Sequence, residues 1–242
     1  MRLATYTRYE LLRTFRNVRF LVFSLVFPLV LFLLIAGPNR HEEIAGIPLP
    51  LYFMTGMTAF GTMMAVVSSG GRIAAERQIG WNRQLRLTPL RPRTYLLTKV
   101  ASGYALAGLS IVVIGGAGIA LGVRLSAGEW LTLVGLVLVG LVPFAALGIA
   151  IGHLVSVDSL GPLMGGLTSI LAMLGGAWGP LASGGTLKVI SEAMPSYWLV
   201  QAGKSALGGG LWPAKGWIVV AVWALAFTRL ALWAYRRDTK RA

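Results

Sequence analysis

Groups able to do acid, base or nucleophilic work are few in this chain of 242 residues: eight acidic side chains, two histidines and no cysteine. Lack of cysteine excludes a disulfide framework and a thiolate metal site. Gly203-Lys204-Ser205 ends as a phosphate-binding loop ends, but such a loop needs a glycine five residues before the second one, where Trp198 stands. A hydrolytic dyad drawn from His153 and Ser183 needs the two within hydrogen-bond reach. An ion-driven carrier needs a carboxylate or imidazole at depth in the membrane, whereas Glu76, Glu129, Asp158 and Glu192 fall at the ends of apolar segments or between them. His153 and Asp158 share one short turn and read as a local polar cap. Most of the charge is positive, with 22 Lys and Arg and a net charge of +14. One basic run, AAERQIGWNRQLRLTPLRPRTYLLTKV, covers 74–100. Cations so placed recognise carboxylates or phosphates through charge-assisted bonds.

The elements that must position these groups are membrane spans. Hydrophobic residues make up 56% of the chain and charged residues 12%, against about 25% charged in soluble domains, and mean hydropathy is +0.72. Six near-continuous apolar windows occur at 20–37, 49–71, 95–123, 130–154, 160–180 and 217–234, each close to or above the roughly 18–20 residues that cross a bilayer core. A β-barrel would show many short alternating segments instead. The expected fold class is an all-α polytopic membrane protein, a single transmembrane domain over 1–242.

Five positive residues lie in the N-terminal arm, seven in the second connection and five at the C-terminal end, seventeen of the 22. Cytoplasmic loops hold such an excess, so both termini and the 74–93 loop are expected in the cytoplasm. The basic surplus hugs membrane ends, which argues against a nucleic-acid footprint. His153 then sits at the inner end of span four and Ser183 at the outer end of span five, too far apart for a dyad. The first apolar run begins late and is as long as a span, so it is expected to be a retained helix rather than a cleaved signal.

Between the spans, residues 1–19 have helical spacing, with Leu3, Thr7, Leu11 and Phe15 on one face and Arg2, Arg13 and Arg16 opposite. That pattern predicts a basic amphipathic helix in the membrane interface; a solvated basic tail is the alternative. In the 74–93 loop a helical pattern continues through Leu85 and Leu87 until Thr88-Pro89 stops it, since a residue before proline is pushed out of the helical region. Pro92 is expected to hold the next turn open and Thr94 to cap the third span.

The order Glu76, Gly80, Arg83, Leu85, Arg86, Thr88, Pro89, Leu90, Tyr95 and Lys99 resembles the signature of ABC-2 type permeases, the membrane subunits of ATP-driven exporters. The basic N-terminus, the six spans and Pro195-Ser196-Tyr197-Trp198 before the last span match in position, so the resemblance covers essentially the whole chain. It is similar above all to the bacterial permeases related to the daunorubicin exporter. Trp81 departs, standing where members more often have a small or polar residue. The resemblance implies that the loop is a coupling helix seated in a groove of a separate ATPase subunit, formed by Glu76, Arg77, Gly80, Trp81, Arg83, Leu85, Arg86, Thr88 and Pro89. Arg77, Arg83 and Arg86 suit acidic groove residues, Trp81 and Leu85 suit apolar anchoring, and Thr88-Pro89 stiffens the exit.

Within the spans, Gly118–Gly122, Gly148–Gly152 and Gly161–Gly165 have the GxxxG spacing of close helix packing, and Pro28 and Pro143 are expected to kink spans one and four. Arg229 stands inside the last span, where it either snorkels toward headgroups or faces a polar cavity or an anionic lipid. The 181–216 connection has helical spacing interrupted at Pro195; comparable family members place re-entrant helices there, and an interfacial aromatic belt is the plain alternative. Arg229, Tyr197, Trp198, Met173 and Trp178 are candidate pathway or packing residues. The expected function is the permease subunit of an exporter in a bacterial plasma membrane, moving amphipathic drug-like or lipid-like substrates, as in multidrug efflux or antibiotic resistance. No cofactor is expected in this chain; ATP and Mg belong to two ATPase partner subunits, and a second permease copy, identical or paralogous, completes the pathway. An ion-coupled carrier, which would call for repeats or a charged midplane site, or a channel with a polar lining, is the alternative.

Overall fold

Prolines and glycines set where the helices of this chain bend and how closely they approach. The computed structural model describes residues 3–44, 46–81, 84, 92–180 and 184–239. After α1 (Leu3–Phe15), α2 (Val18–Leu21) runs through a π-helical turn at Val22–Val26 into α3 (Phe27–Ala36). The cause is Pro28, at the second position of α3, which has no N–H to offer the Ser24 carbonyl one turn back. Pro28 thus disturbs the hydrogen-bond ladder of the expected first span as a π-helical turn. A short antiparallel hairpin, β1 (Glu43–Ile44) and β2 (Ile47–Pro48), leads into α4 (Leu49–Gln78).

α4 is the axis of the bundle, with 94% of its apolar window buried. Around it stand α5 (Pro92–Ala120), α6 (Ala127–Gly140), α7 (Val142–Leu154), α8 (Val157–Leu174), α9 (Thr186–Glu192), α10 (Pro195–Leu207) and α11 (Ala214–Thr239). α3, α5, α7, α8 and α10 all pack on α4. Glycine permits the approach: a Cβ on Gly148 would lie 2.5 Å from the Val67 carbonyl oxygen, and one on Gly152 only 2.4 Å from that of Gly70. A Cβ on Gly118 would strike Met54 Sδ at 2.2 Å, whereas Gly161 and Gly165 have nothing within 4 Å. Two of the three GxxxG pairs thus contain packing glycines. The third, on α8, packs on nothing in the described chain.

Among the described residues five helices are long and apolar enough to cross a membrane: Leu49–Gln78, Arg93–Ala120, Ala127–Leu154, Val157–Leu174 and Ala214–Asp238. The expected first span is represented by the shorter helix Val22–Ala36. Span four breaks at Leu141 between α6 and α7, one residue before the turn that holds Pro143. Ser126 and Glu129 form a reciprocal capping box at the start of α6. Span five ends earlier than expected, at Leu174, because Gly175 and Gly176 turn the chain, Gly176 at φ +78°.

Two local expectations are corrected. Pro92 opens α5 rather than holding a turn apart, and Thr94 lies inside that helix, its carbonyl accepting the Thr98 hydroxyl at 2.9 Å. A proline suits a first helical turn, where its missing N–H has no partner to lose. The helical pattern past Gln78 is interrupted as well: α4 ends there, Gly80 follows at φ +71°, and helix resumes at Trp81 and Gln84. In the long connection, helices α9 and α10 divide at Met194-Pro195, as the interrupted spacing predicted. Lys215 bonds the Glu192 carboxylate at the end of α9 and holds it below the usual carboxylate range.

Candidate functional site

Side-chain spacing on three helices assembles a buried charge cluster where α4 ends. Tyr95 and Lys99 are four apart on α5, Arg72 and Glu76 four apart on α4, and Glu10 and Arg13 three apart on α1, so each pair shares a helical face. Lys99 is wholly buried, and its ammonium donates to Glu10 Oε1 at 2.6 Å and to Glu76 Oε1 at 2.5 Å. Glu76, 1% exposed, also accepts the Tyr95 hydroxyl at 2.5 Å on its other oxygen and Arg13 Nη1 at 3.2 Å. Arg72 lies in the field of both carboxylates. Ser69 donates to the Lys99 carbonyl at 2.7 Å. Buried charges cost several kcal/mol each unless paired and hydrogen-bonded; here one ammonium answers two carboxylates, and Arg13 and Arg72 add further positive charge beside them.

This overturns the expectation that no carboxylate is buried. Glu76 does map to a span end, but α1 folds back over that end and brings Glu10 with it. The inward face of α1 is accordingly polar, carrying Thr7, Glu10 and Thr14 beside Leu11, while Arg8, Tyr9, Leu12 and Arg13 face outward. The paired cations leave neither Glu10 nor Glu76 open as a carrier's ion site.

A second cluster adjoins it through the next residue of α4. Arg77 bonds Asp238 near the end of α11 at 2.7 Å and the His153 carbonyl near the end of α7 at 2.8 Å. His153 Nδ1 lies 3.0 Å from the other Asp238 oxygen, and its ring meets Tyr235 edge-on at 5.4 Å. The expected cap of His153 by Asp158 is therefore replaced: Asp158 is exposed in the first turn of α8, where its charge favours the helix dipole, and the partner of His153 comes from 85 residues away. Together the two clusters tie the last turn of α4 to α1, α5, α7 and α11.

Of the predicted coupling residues, Glu76 and Arg77 lie in these clusters, with all their described bonds inside the chain. Gly80 supplies the positive-φ turn beyond them, and Trp81 is half-buried. Arg83, Leu85, Arg86, Thr88 and Pro89 lie outside the described residues. Trp198 is a packing residue: buried, it donates Nε1–H to the Glu192 carbonyl at 3.0 Å and covers Gly216. Tyr197 stands edge-on to it at 5.3 Å. Met173 and Trp178 are exposed at the end of α8, Trp178 against Phe60 and Phe60 against Phe27. Arg229 is exposed on the outer side of α11 and not turned to the chain's interior. Among the described residues no group of three or more His, Asp or Glu is placed to hold a metal ion.

A multi-pass helical membrane protein whose buried ion pairs gather where α4 ends is the class these observations define. The chain belongs to the ABC-2 type transporter family, whose model matches residues 1–207. It is similar over 235 residues, at 27% identity and with 95% of each chain covered, to the Bacillus subtilis (strain 168) protein called "Putative transport permease YvfS". It is thus a membrane permease of an ABC transporter, a system that includes an ATPase partner. Glu10 and Asp238 escaped the sequence reading. The available signal was that each is a lone acid in a basic segment, Glu10 among the arginines of the N-terminal arm and Asp238 between Arg237 and Lys240.

Proposed function

We propose that this permease exports amphipathic drug-like or lipid-like molecules, and that the segment 74–93 is the coupling helix through which ATP binding and hydrolysis in two partner subunits move the spans. The supporting observation is the anchoring of that segment's base. Glu76 and Arg77, four and three residues before Gly80, are ion-paired to three other helices. A push on the loop then reaches α1, α5 and α11 together, where a simple tether would absorb it. Two permease copies, identical or paralogous, enclose the pathway, with both termini and the coupling helix in the cytoplasm. Val18–Ala36 serves as the sixth span: its continuous helical run is about 28 Å long at the α-helical rise, close to the thickness of a bilayer core. α9 and α10 form a re-entrant cover over the outer end. The exposed rings of Phe27 and Trp178, each edge-on to the buried Phe60, and the exposed Met173 suit apolar cargo.

The test is charge reversal of Arg83 and Arg86 together, in vesicles that contain the permease and its ATPase. The expected result is weaker copurification of the ATPase, or hydrolysis without export, at normal membrane insertion. Unchanged assembly and transport would make the loop a tether.

A further inference from the structure

Every carboxylate in the chain is accounted for, and none of them answers Arg229, a cation set inside an apolar helix. Glu10 and Glu76 answer Lys99, Asp238 answers Arg77 and His153, and Glu192 answers Lys215. Glu42 and Glu43 lie at the β-hairpin, and Glu129 and Asp158 lie in first turns of helices. Arg229 has no ion pair or hydrogen bond among the described residues, and it is exposed within the apolar helix α11. Its helix carries a single acid, Asp238, already engaged twice.

Steps of three and four residues along α11 set Val222, Leu225, Arg229, Trp233 and Arg236 on one stripe. All five are exposed, and Arg237 stacks over the Trp233 ring at 5.4 Å. From Arg236 to Arg229 the helix rises about 10 Å, the depth from headgroup to upper acyl chain. Tryptophan favours that boundary, and the exposed Leu225 and Val222 continue the stripe into the apolar zone.

We propose that this stripe is a binding site for one anionic phospholipid: its phosphate between Arg229 and Arg236, its glycerol at Trp233 and its acyl chains along Leu225 and Val222. A guanidinium in an apolar span calls for a counter-charge, and a phosphate accepts its planar fork in two bonds. The exposed carboxylates, Glu42, Glu43 and Asp158, lie at the β-hairpin or in the first turn of α8, so a second copy of this chain offers none from the middle of a span. The assignment draws on the proposed function only for the leaflet, since a cytoplasmic C-terminal end places the site in the inner one.

Native mass spectrometry of the purified full chain, without the ATPase, reads the site independently of coupling. Phosphatidylglycerol and phosphatidylcholine with the same acyl chains are the probes. The expected result is preference for phosphatidylglycerol, cut about fivefold by Arg229→Gln, the worth of one basic residue at a membrane surface. Arg229→Lys should keep part of it, and Arg8→Gln, on the exposed face of α1, should leave it unchanged. Undiminished preference in Arg229→Gln overturns the proposal, with or without a loss of dimer, as does an equal drop in Arg8→Gln, which would reflect general basic charge.

Discussion

Replacing Lys99 by methionine removes the single ammonium that answers Glu10 and Glu76 while nearly preserving the apolar volume of the side chain. Two charge-assisted bonds, at 2.6 and 2.5 Å, are lost between groups at most 5% exposed. Deleting one partner of a buried ion pair costs about 3–5 kcal/mol. Arg13 at 3.2 Å and the nearby Arg72 retain part of the compensation, which sets the expected loss at about 3 kcal/mol, the lower end of that range. For a chain of this length that corresponds to a fall of about 6–12 °C in Tm. Glu76→Gln should cost less, because Lys99 keeps Glu10. The double variant should be more stable than the sum of the two losses predicts, with a coupling of about 1–3 kcal/mol, since one of the two carboxylates that lose the ammonium is then neutral and only Glu10 is left without it. Thermal unfolding in detergent measures all four corners of the cycle. Trypsin cleavage at Arg16 reports α1 separately, and should quicken in Lys99→Met as the helix loses its anchor. A loss below about 1 kcal/mol, or single losses that simply add, would refute the view that this cluster clamps α1 to α4 and α5.

Further outcomes are expected elsewhere. Gly148→Ala should destabilise by about 1–3 kcal/mol, because its Cβ would sit 2.5 Å from the Val67 carbonyl oxygen, while Gly165→Ala, with open space around it, should be neutral or stabilising in the same melting assay. Asp238→Asn should leave ATPase binding intact but lower the substrate exported per ATP hydrolysed, since it releases Arg77 and His153 from α11; unchanged stoichiometry counts against that link. Single cysteines at Gln84 and Lys188, both exposed, should label from opposite faces of sealed vesicles, and labelling from one face removes the six-span topology.

The apolar spans could be read in the chain because lipid imposes long, uniform composition on any helix it surrounds. Pro28 and Pro143 could be read because a missing N–H acts locally. GxxxG spacing shows only that a helix face is smooth, so it could not tell Gly148–Gly152, which meets α4, from Gly161–Gly165, which meets nothing described. The same limit hid the charge clusters. Periodicity put Leu3, Thr7, Leu11 and Phe15 on one face of α1, but the burial of Glu10 and Thr14 comes from Lys99 and the rest of α5, nearly 90 residues on. Partners so distant leave no local trace. His153 and Asp158 read as one local polar cap because they are close in the chain, whereas the partner of His153 is Asp238.

The enclosure of α4 bears on how the molecule is made. Of the five long apolar helices, it has the lowest mean hydropathy, 1.3, and carries Thr55, Thr58, Thr62 and Ser69 on its buried surface. Yet it leaves the ribosome before α5, α7, α8 and α10 have been synthesised. In the two-stage course of membrane folding, insertion precedes helix association, so the newborn α4 meets acyl chains with hydroxyls and glycine backbone that will later be covered. The Thr55, Thr58 and Thr62 hydroxyls ease this interval differently. Thr62 bonds back to the Thr58 carbonyl at 2.6 Å and Thr55 to that of Tyr52 at 2.9 Å, within the helix itself, so two of the three need no later helix to satisfy them. The segment that ends most enclosed is thus inserted before its cover exists, and its biogenesis waits on α10, which ends at Leu207, 129 residues beyond Gln78.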